Sequence, residues 1–430
     1  MSYTQLKKLS IVSLVVLSSS MLFPVNAASK YSEKIEEIAK TPNVKKALEH
    51  IVKQREQNIE DLITLTEIEA PPFNEQNRAK QFVKMLMQEG LTDVNIDEVG
   101  NVIGRRPGLT GSKTIALGAH MDTVFPEGTD VKVRKNGNVY TSPGIGDNTR
   151  GMVLLLSLLR TLNEQDIQTQ EDILFIGTVG EEGLGDLRGV KHLFRKGGDK
   201  IDTFIGIDGG RNERLIYGAV GSHRYRVTFK GPGGHSWGSF GMANPHHALG
   251  RAIAKFSSRA PSITNEGPKS SFSIGRIGGG TSINSIPFES WMEVDMRSGD
   301  QSRLDAVDAI FQQAMIDGLN EENESRKRGP ELTVEVKQVG QRPAGLGNEN
   351  SSLVQHGRAA MEHLGIEPRL SVSSTDSNIP ISLGIPAITM SRGGVSRKAH
   401  SPAESWEDKD SHIAIQTALL LVLAEAEMVR

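Results

Sequence analysis

Cysteine is absent from the 430 residues. Disulfides, thiolate nucleophiles and thiolate zinc sites are thereby excluded, and any metal must be held by His, Asp and Glu. An excess of charge is missing as well, since 49 Lys and Arg stand against 52 Asp and Glu, a formal net charge of -3. That balance sets up no field for nucleic acid or an anionic membrane, so neither is expected as a partner and small-molecule chemistry is favoured. A stable membrane anchor is not expected either. The apolar stretch 9–23 is broken by Ser13, Ser18, Ser19 and Ser20 and is short for a span. Lys7 and Lys8 precede it and Val25-Asn26-Ala27-Ala28 follows, the pattern of a secretory signal peptide over residues 1–28, cleaved after Ala27 or Ala28. No Cys follows it, so no lipid attachment is expected. The mature chain is expected to be exported, most simply to a periplasm.

Glycine is plentiful, with 45 residues gathered at loops after apolar runs, where the backbone must turn tightly or approach a ligand. The length exceeds one hydrophobic core and implies two domains. Residues 31–69 read as one or two amphipathic helices with a break near Pro42, and 77–89 as another helix closed at Gly90. The runs 114–119, 173–178 and 203–207 read as buried strands. Each ends in chemistry: His120-Met121-Asp122, Glu181-Glu182 and Asp208-Gly209-Gly210. Helix-like segments between them imply a mixed, largely parallel sheet flanked by helices, with one functional rim at the strand ends.

From about Gly218 the pattern changes to alternation, with strands at 224–229, 271–277 and 289–296 and helices at 245–256 and 302–319. This predicts an α+β insert of the ferredoxin-like kind over 218–330, its fourth strand lying near Arg224 or Pro330. The catalytic domain is then discontinuous, 29–217 and 331–430, and the strand-like run 332–339 is assigned to its second part.

Glu181 and Glu182 alone would suit a solvated acidic turn, and Asp147 alone would suit a helix N-cap before the apolar helix 152–162. Together with His120, Asp208 and His400, each on a Gly-flanked loop or strand end, they make a hard donor set for two zinc ions, with Asp147 as the natural bridge. Asp122 can accept the free ring N–H of His120, and Glu181 beside the ligand Glu182 can move the proton of a bound water. His50, His192, His223, His356, His363 and His412 are read as structural or surface residues, and His246 and His247 as ordinary helix residues.

The order His-x-Asp, Gly-Asp-Asn, Glu-Glu-Gly, Asp-Gly and Ala-His-Ser-Pro, in Ala399-His400-Ser401-Pro402-Ala403-Glu404, resembles the co-catalytic zinc exopeptidases of the peptidase T, glutamate carboxypeptidase, aminoacylase and succinyl-diaminopimelate desuccinylase family. The resemblance runs from about Ile59 to the C-terminus. It implies one metal held by His120, Asp147 and Asp208 and the other by Asp147, Glu182 and His400, with cobalt or manganese as alternatives to zinc. It also implies Glu181 as base, Asp122 behind His120 and a cis peptide at Asp147-Asn148. The insert is similar to the family's lid and dimerisation domain, so a homodimer is expected. His235, in Gly231-Pro232-Gly233-Gly234-His235-Ser236, is similar to the histidine that reaches a neighbouring subunit and binds the oxyanion. Asn284 and Arg297 are similar to substrate-holding residues. Ser373-Ser374-Thr375-Asp376 stands where the family often has Gly-Gly-Thr-Asp, which makes Thr375 and Asp376 candidate pocket residues and alters the specificity to be expected; Trp237 is bulkier than the usual residue.

The expected activity is hydrolysis of a small peptide or N-acyl amino acid, first an aminopeptidase on di- or tripeptides. A deacylase or carboxypeptidase is the alternative on the same site, and a non-catalytic binding protein on the same fold is the rival from another class.

Overall fold

The computed structural model describes residues 27–429. The expected signal segment lies outside the described residues except for its last two, which open the helix Ala27–Lys40. No helix of the described residues is long and apolar enough to cross a membrane.

The helical periodicity of the N-terminal region gives three helices, Ala27–Lys40, Pro42–Lys53 and Arg55–Thr66, followed by Gln76–Gln88. Pro42 begins the second helix, where its missing N–H is no loss. The first helix, with Ile35, packs against Ser352–His363 and His412–Glu425, while the apolar faces of the second and third bury Val44, Ile51, Leu62 and Leu65 against the almost wholly buried helix Arg150–Glu164. Ion pairs reinforce this contact. Arg160 on that helix bonds Asp61 at 2.8 Å and Glu89 at 2.6 Å.

The central sheet has nine strands. Four neighbours run parallel: Asp172–Thr178, Thr114–His120, Thr203–Ile207 and Ala387–Met390. Antiparallel strands flank them on both sides, Val102–Arg106 beside Asp172–Thr178 and Arg214–Ala219 beside Ala387–Met390. The parallel strands are continuous apolar runs because helices cover both faces. In register, His120 lies opposite Thr178 and Ile207 opposite Met390, so the segments after all four strands emerge on one rim.

The insert is a four-stranded antiparallel sheet with the order Ser270–Gly279, Glu289–Ser298, Gly221–Lys230, Thr333–Arg342. Helices Pro245–Arg259 and Gln301–Ser325 pack together over one face, with a separate core that includes Val227, Phe229, Phe256, Met292 and Phe311. This βαββαβ order is ferredoxin-like. One boundary is corrected. The expected insert ended at residue 330, whereas the fourth strand runs on to Arg342, pairing Thr333 with Lys230 and Arg342 with Ser222. Without it one side of Gly221–Lys230 would be an open edge, and Val334 and Val336 would lose the insert core they pack against. The run 332–339 therefore belongs to the insert, not to the second part of the catalytic domain.

Candidate metal centre

The rim collects its side chains from strand ends and two loops. His120 closes its strand, Glu181 and Glu182 follow Thr178, and Asp208 follows Ile207. Gly180 turns the chain there at φ 71°, in the left-handed region that favours glycine. Asp147 lies in the tight turn Ile145–Thr149 ahead of the buried helix Arg150–Glu164, with Gly144 at φ 75° and the Asp147-Asn148 peptide cis. His400 sits on the loop between two small antiparallel strands, Val395–Arg397 and Ser405–Glu407, the second of which pairs with Val139–Thr141.

These residues converge. His120, Asp147 and Asp208 offer ligand atoms within 4.8 Å of one another, as do Asp147, Glu182 and His400. Asp147 belongs to both groups and divides its oxygens between them, Oδ1 lying 3.2 Å from His120 Nε2 and Oδ2 lying 3.4 Å from His400 Nε2. Glu182 Oε1 is 2.9 Å from His400 Nε2. The electrostatics call for added positive charge. Burial opposes protonation of His120, yet Asp122 and Asp147 beside it outweigh burial and hold its pKa well above the usual imidazole range. Asp147, then Glu182, push His400 up to about 10. Burial pushes Asp208 and Glu181 upward, the latter despite Arg342. A divalent cation in either group would offset the carboxylate charge gathered there, and the nitrogen and oxygen donors suit zinc, cobalt or manganese.

Glu181 is buried, and Arg342 holds it. The guanidinium Nη1 donates to Glu181 Oε1 at 2.8 Å and to Ser374 Oγ at 3.0 Å, while Nη2 donates to the Glu181 carbonyl. Asp122 is placed differently from the sequence expectation. Its carboxylate stands 3.7 Å from His120 Nδ1, too far for a hydrogen bond, and the ring nitrogen meets the Asp122 backbone carbonyl at 3.0 Å instead. The carboxylate is committed elsewhere, accepting the amides of Glu181 at 3.0 Å and Glu182 at 2.8 Å. It fixes the loop that carries the acidic pair.

The cleft above these groups has a volume of about 370 Å³ and takes in Val124, Ser374, Arg224, Arg297 and Arg342. Arg297 reaches it from the insert with its Nε tied to Asp295 at 2.7 Å. Thr375 and Asp376 do not line it. Thr375 is buried with its hydroxyl on Thr389, and Asp376 is buried below His120, its Oδ2 accepting from Thr178 and its pKa raised by that burial to about 6. Of this loop, Ser374 faces the cleft. His235 and Asn284 lie on the insert and are not among the residues that line their own chain's cleft; their segments are joined where the Asn284 carbonyl accepts the Ser236 amide at 2.9 Å. The amides of Trp237 and Gly238 donate to His235 Nδ1, which leaves the ring hydrogen of a neutral imidazole on the exposed Nε2.

Sequence reasoning missed three charged residues. Arg392 follows the fourth parallel strand and is wholly enclosed among Asp147 and Asp208, 2.8 Å from Oδ1 of each. The strand-end logic that found Asp208 would have found it. Glu404, inside the Ala-His-Ser-Pro-Ala-Glu run, accepts the amides of Gly144 at 3.0 Å, Gly146 at 2.9 Å and Asp147 at 2.8 Å. Arg342 carried no signal, because its strand was assigned to the wrong domain. Five of the remaining histidines stand beside carboxylates: His50 with Glu164, His192 near Asp97, His223 with Asp308, His247 near Glu322 and His356 with Glu425.

A mixed sheet with a carboxylate-rich, histidine-flanked rim and a lid-like insert defines a metal-dependent hydrolase. The chain belongs to the Peptidase family M20/M25/M40, whose pattern it matches over residues 116–424. It is 25% identical over 356 residues to the uncharacterized protein YqjE of Bacillus subtilis, covering 78% of this chain and 90% of that one. In fold it is similar to the aminopeptidase PepT from Bacillus cereus, with a TM-score of 0.69 and 22% identity over 86% of this chain and 99% of that chain. It is likewise similar to YXEP of Bacillus subtilis, a dinuclear metal binding peptidase from the M20 family, with a TM-score of 0.60 and 17% identity over 87% and 98% of the two chains.

Proposed function

We propose that the chain is an exported di-zinc exopeptidase that hydrolyses small peptides, in the first place an aminopeptidase acting on di- or tripeptides. The single observation behind this reading is the pair of donor groups that share Asp147, one oxygen to each. His120, Asp147 and Asp208 would hold one ion and Asp147, Glu182 and His400 the other; two such ions polarise a carbonyl and acidify a water. Glu181, its pKa raised by burial and its oxygen held by Arg342, accepts the proton of the attacking water and passes it to the leaving amine. Asp122 keeps Glu181 and Glu182 in place through their amides. The terminal nitrogens of Arg297, fixed at Nε by Asp295, are set to take a substrate carboxylate.

His235 acts in the cleft of a second copy, where its Nε2–H stabilises the oxyanion. Exposed Trp237, Phe240 and Ile283 around it support an interface through the insert. The basic n-region and apolar core at 7–23 support export to a periplasm.

The test is hydrolysis of free and N-acetylated Ala-Ala-Ala with zinc analysis of the same sample. Release of amino acid from the free peptide alone, with about two zinc per chain, supports the aminopeptidase. Preference for the blocked peptide assigns a deacylase instead. That alternative has one point in its favour, 30% identity over 110 residues to the N-carbamoyl-L-amino acid amidohydrolase of Geobacillus stearothermophilus, which spans 25% of this chain and 23% of that one. Fully active monomers would remove His235 from the mechanism, and retention in the cytoplasm on cell fractionation would refute export.

A further inference from the structure

Arg392 is the one cation among the described residues within hydrogen-bond distance of both Asp147 and Asp208. Its Nη1 lies 2.8 Å from Oδ1 of each, and also 3.4 Å from Asn148 Oδ1. The contacts are not shared evenly between the two donor groups. Asp147 Oδ1 is the oxygen that faces His120, whereas Oδ2, which faces His400, is not bonded to Arg392. Asp208 belongs to the His120 group alone. Among the described residues no arginine hydrogen-bonds to Glu182, the other carboxylate of the His400 group, whose side chain meets His400 instead.

We propose that Arg392 is a resident counter-cation that makes the two halves of the centre unequal, so that the His120–Asp147–Asp208 half binds a divalent ion more weakly than the Asp147–Glu182–His400 half. This rests on the two-metal reading above. The guanidinium occupies lone pairs on the two carboxylates that serve the first half and repels a cation placed between them. In compensation it neutralises part of the charge of two buried carboxylates while the centre is empty.

Two effects of removing Arg392 oppose each other. Loss of repulsion strengthens binding at the first half, and loss of an orienting partner weakens it. The first prevails, because other groups fix both aspartates. Glu404 holds the amide of Asp147, and the Asp208 amide donates to the Met390 carbonyl at 3.0 Å. A purely structural arginine would behave in the opposite way, its loss loosening both halves.

The experiment uses the full-length protein, stripped of metal and titrated with Zn2+ against a competing chelator. The wild type should take up two ions with constants that differ by about tenfold or more, equivalent to about 1.4 kcal/mol or more. His120→Ala should leave only the tight step, and His400→Ala, at an exposed position, only the weak one. Arg392→Met should tighten the weak step about tenfold while lowering the melting temperature of the metal-free protein, and Arg392→Lys, which keeps the charge, should restore the wild-type isotherm. A tight step surviving in His400→Ala overturns the proposal whether or not the Arg392 variants fold. So does a weak step that stays put or weakens further in Arg392→Met. A wild-type protein that binds no Zn2+ overturns the two-metal reading itself, an outcome distinct from two-ion binding with the halves in the wrong order.

Discussion

Replacing Glu404 should weaken both halves of the centre together. Its carboxylate is wholly buried and accepts three amides, from Gly144, Gly146 and Asp147, which hold the turn that aims Asp147. Amide bonds to a charged acceptor are worth about 1.5–3 kcal/mol each, so three set a ceiling of roughly 4.5–9 kcal/mol. Part of that is offset by the cost of burying the acid itself, which shows in its raised pKa, driven by burial and opposed by the amides of Asp147 and Gly144. Glu404→Ala should therefore lower the unfolding free energy by roughly 3–5 kcal/mol, a typical cost of orphaning a buried charged network. Glu404→Gln should lose less, since its carbonyl can still serve the Gly146 and Asp147 amides while its NH2 opposes Gly144. Because Asp147 serves both donor groups, the two Zn2+ constants should fall together by about 10- to 100-fold. Urea unfolding of the metal-free protein and chelator-competition titration measure the two quantities. A Glu404→Ala protein of wild-type stability, or one in which a single half weakens, would refute the cradle.

Glu181→Gln should abolish amide hydrolysis while leaving metal content intact, read by zinc analysis beside a peptidase assay; loss of both would make it a ligand. Arg297→Lys should raise KM for peptides with a free C-terminus and leave C-terminal amides unaffected, because an ammonium cannot match the fork. Arg160→Met leaves Asp61 and Glu89 without their buried partner and should cost about 3–5 kcal/mol in stability, measured by urea unfolding. In the insert, burial would raise the Asp308 pKa, but hydrogen bonds from His223, Gln312 and Tyr225 outweigh it and hold it below 3.8. A depressed carboxylate pKa stabilises the fold above the unfolded value and ceases to as pH falls through the folded one, so the melting temperature should drop below about pH 4. Asp308→Asn should flatten that acid limb.

Most of the rim could be read from sequence because parallel buried strands are unbroken apolar runs and the polar residue that ends each is conspicuous. His120, Glu181, Glu182 and Asp208 were found in that way, and Asp147 by its glycines. Arg392 follows Ala387–Met390 by the same rule, yet a single arginine beside a carboxylate cluster does not announce itself as a counter-charge. The insert boundary was misplaced because 332–339 alternates like any half-exposed strand, and only pairing with Gly221–Lys230 decides which sheet it joins. Thr375 and Asp376 lie beneath the cleft rather than on its wall for a related reason. Which residues of a loop face inward depends on the packing of Thr389 and Thr178 beneath it, and no local pattern encodes that.

The strand that returns the chain from the insert ends at Arg342, and Arg342 grips Glu181. The two domains are therefore not separable modules. A shortened chain that joined Ala219 directly to Pro343 would keep the sheet and all five metal-binding candidates, yet Glu181 would lose its Arg342 partner and the cleft its Arg224 and Arg297 wall. The seam through which the chain re-enters the sheet domain is itself a wall of the cleft.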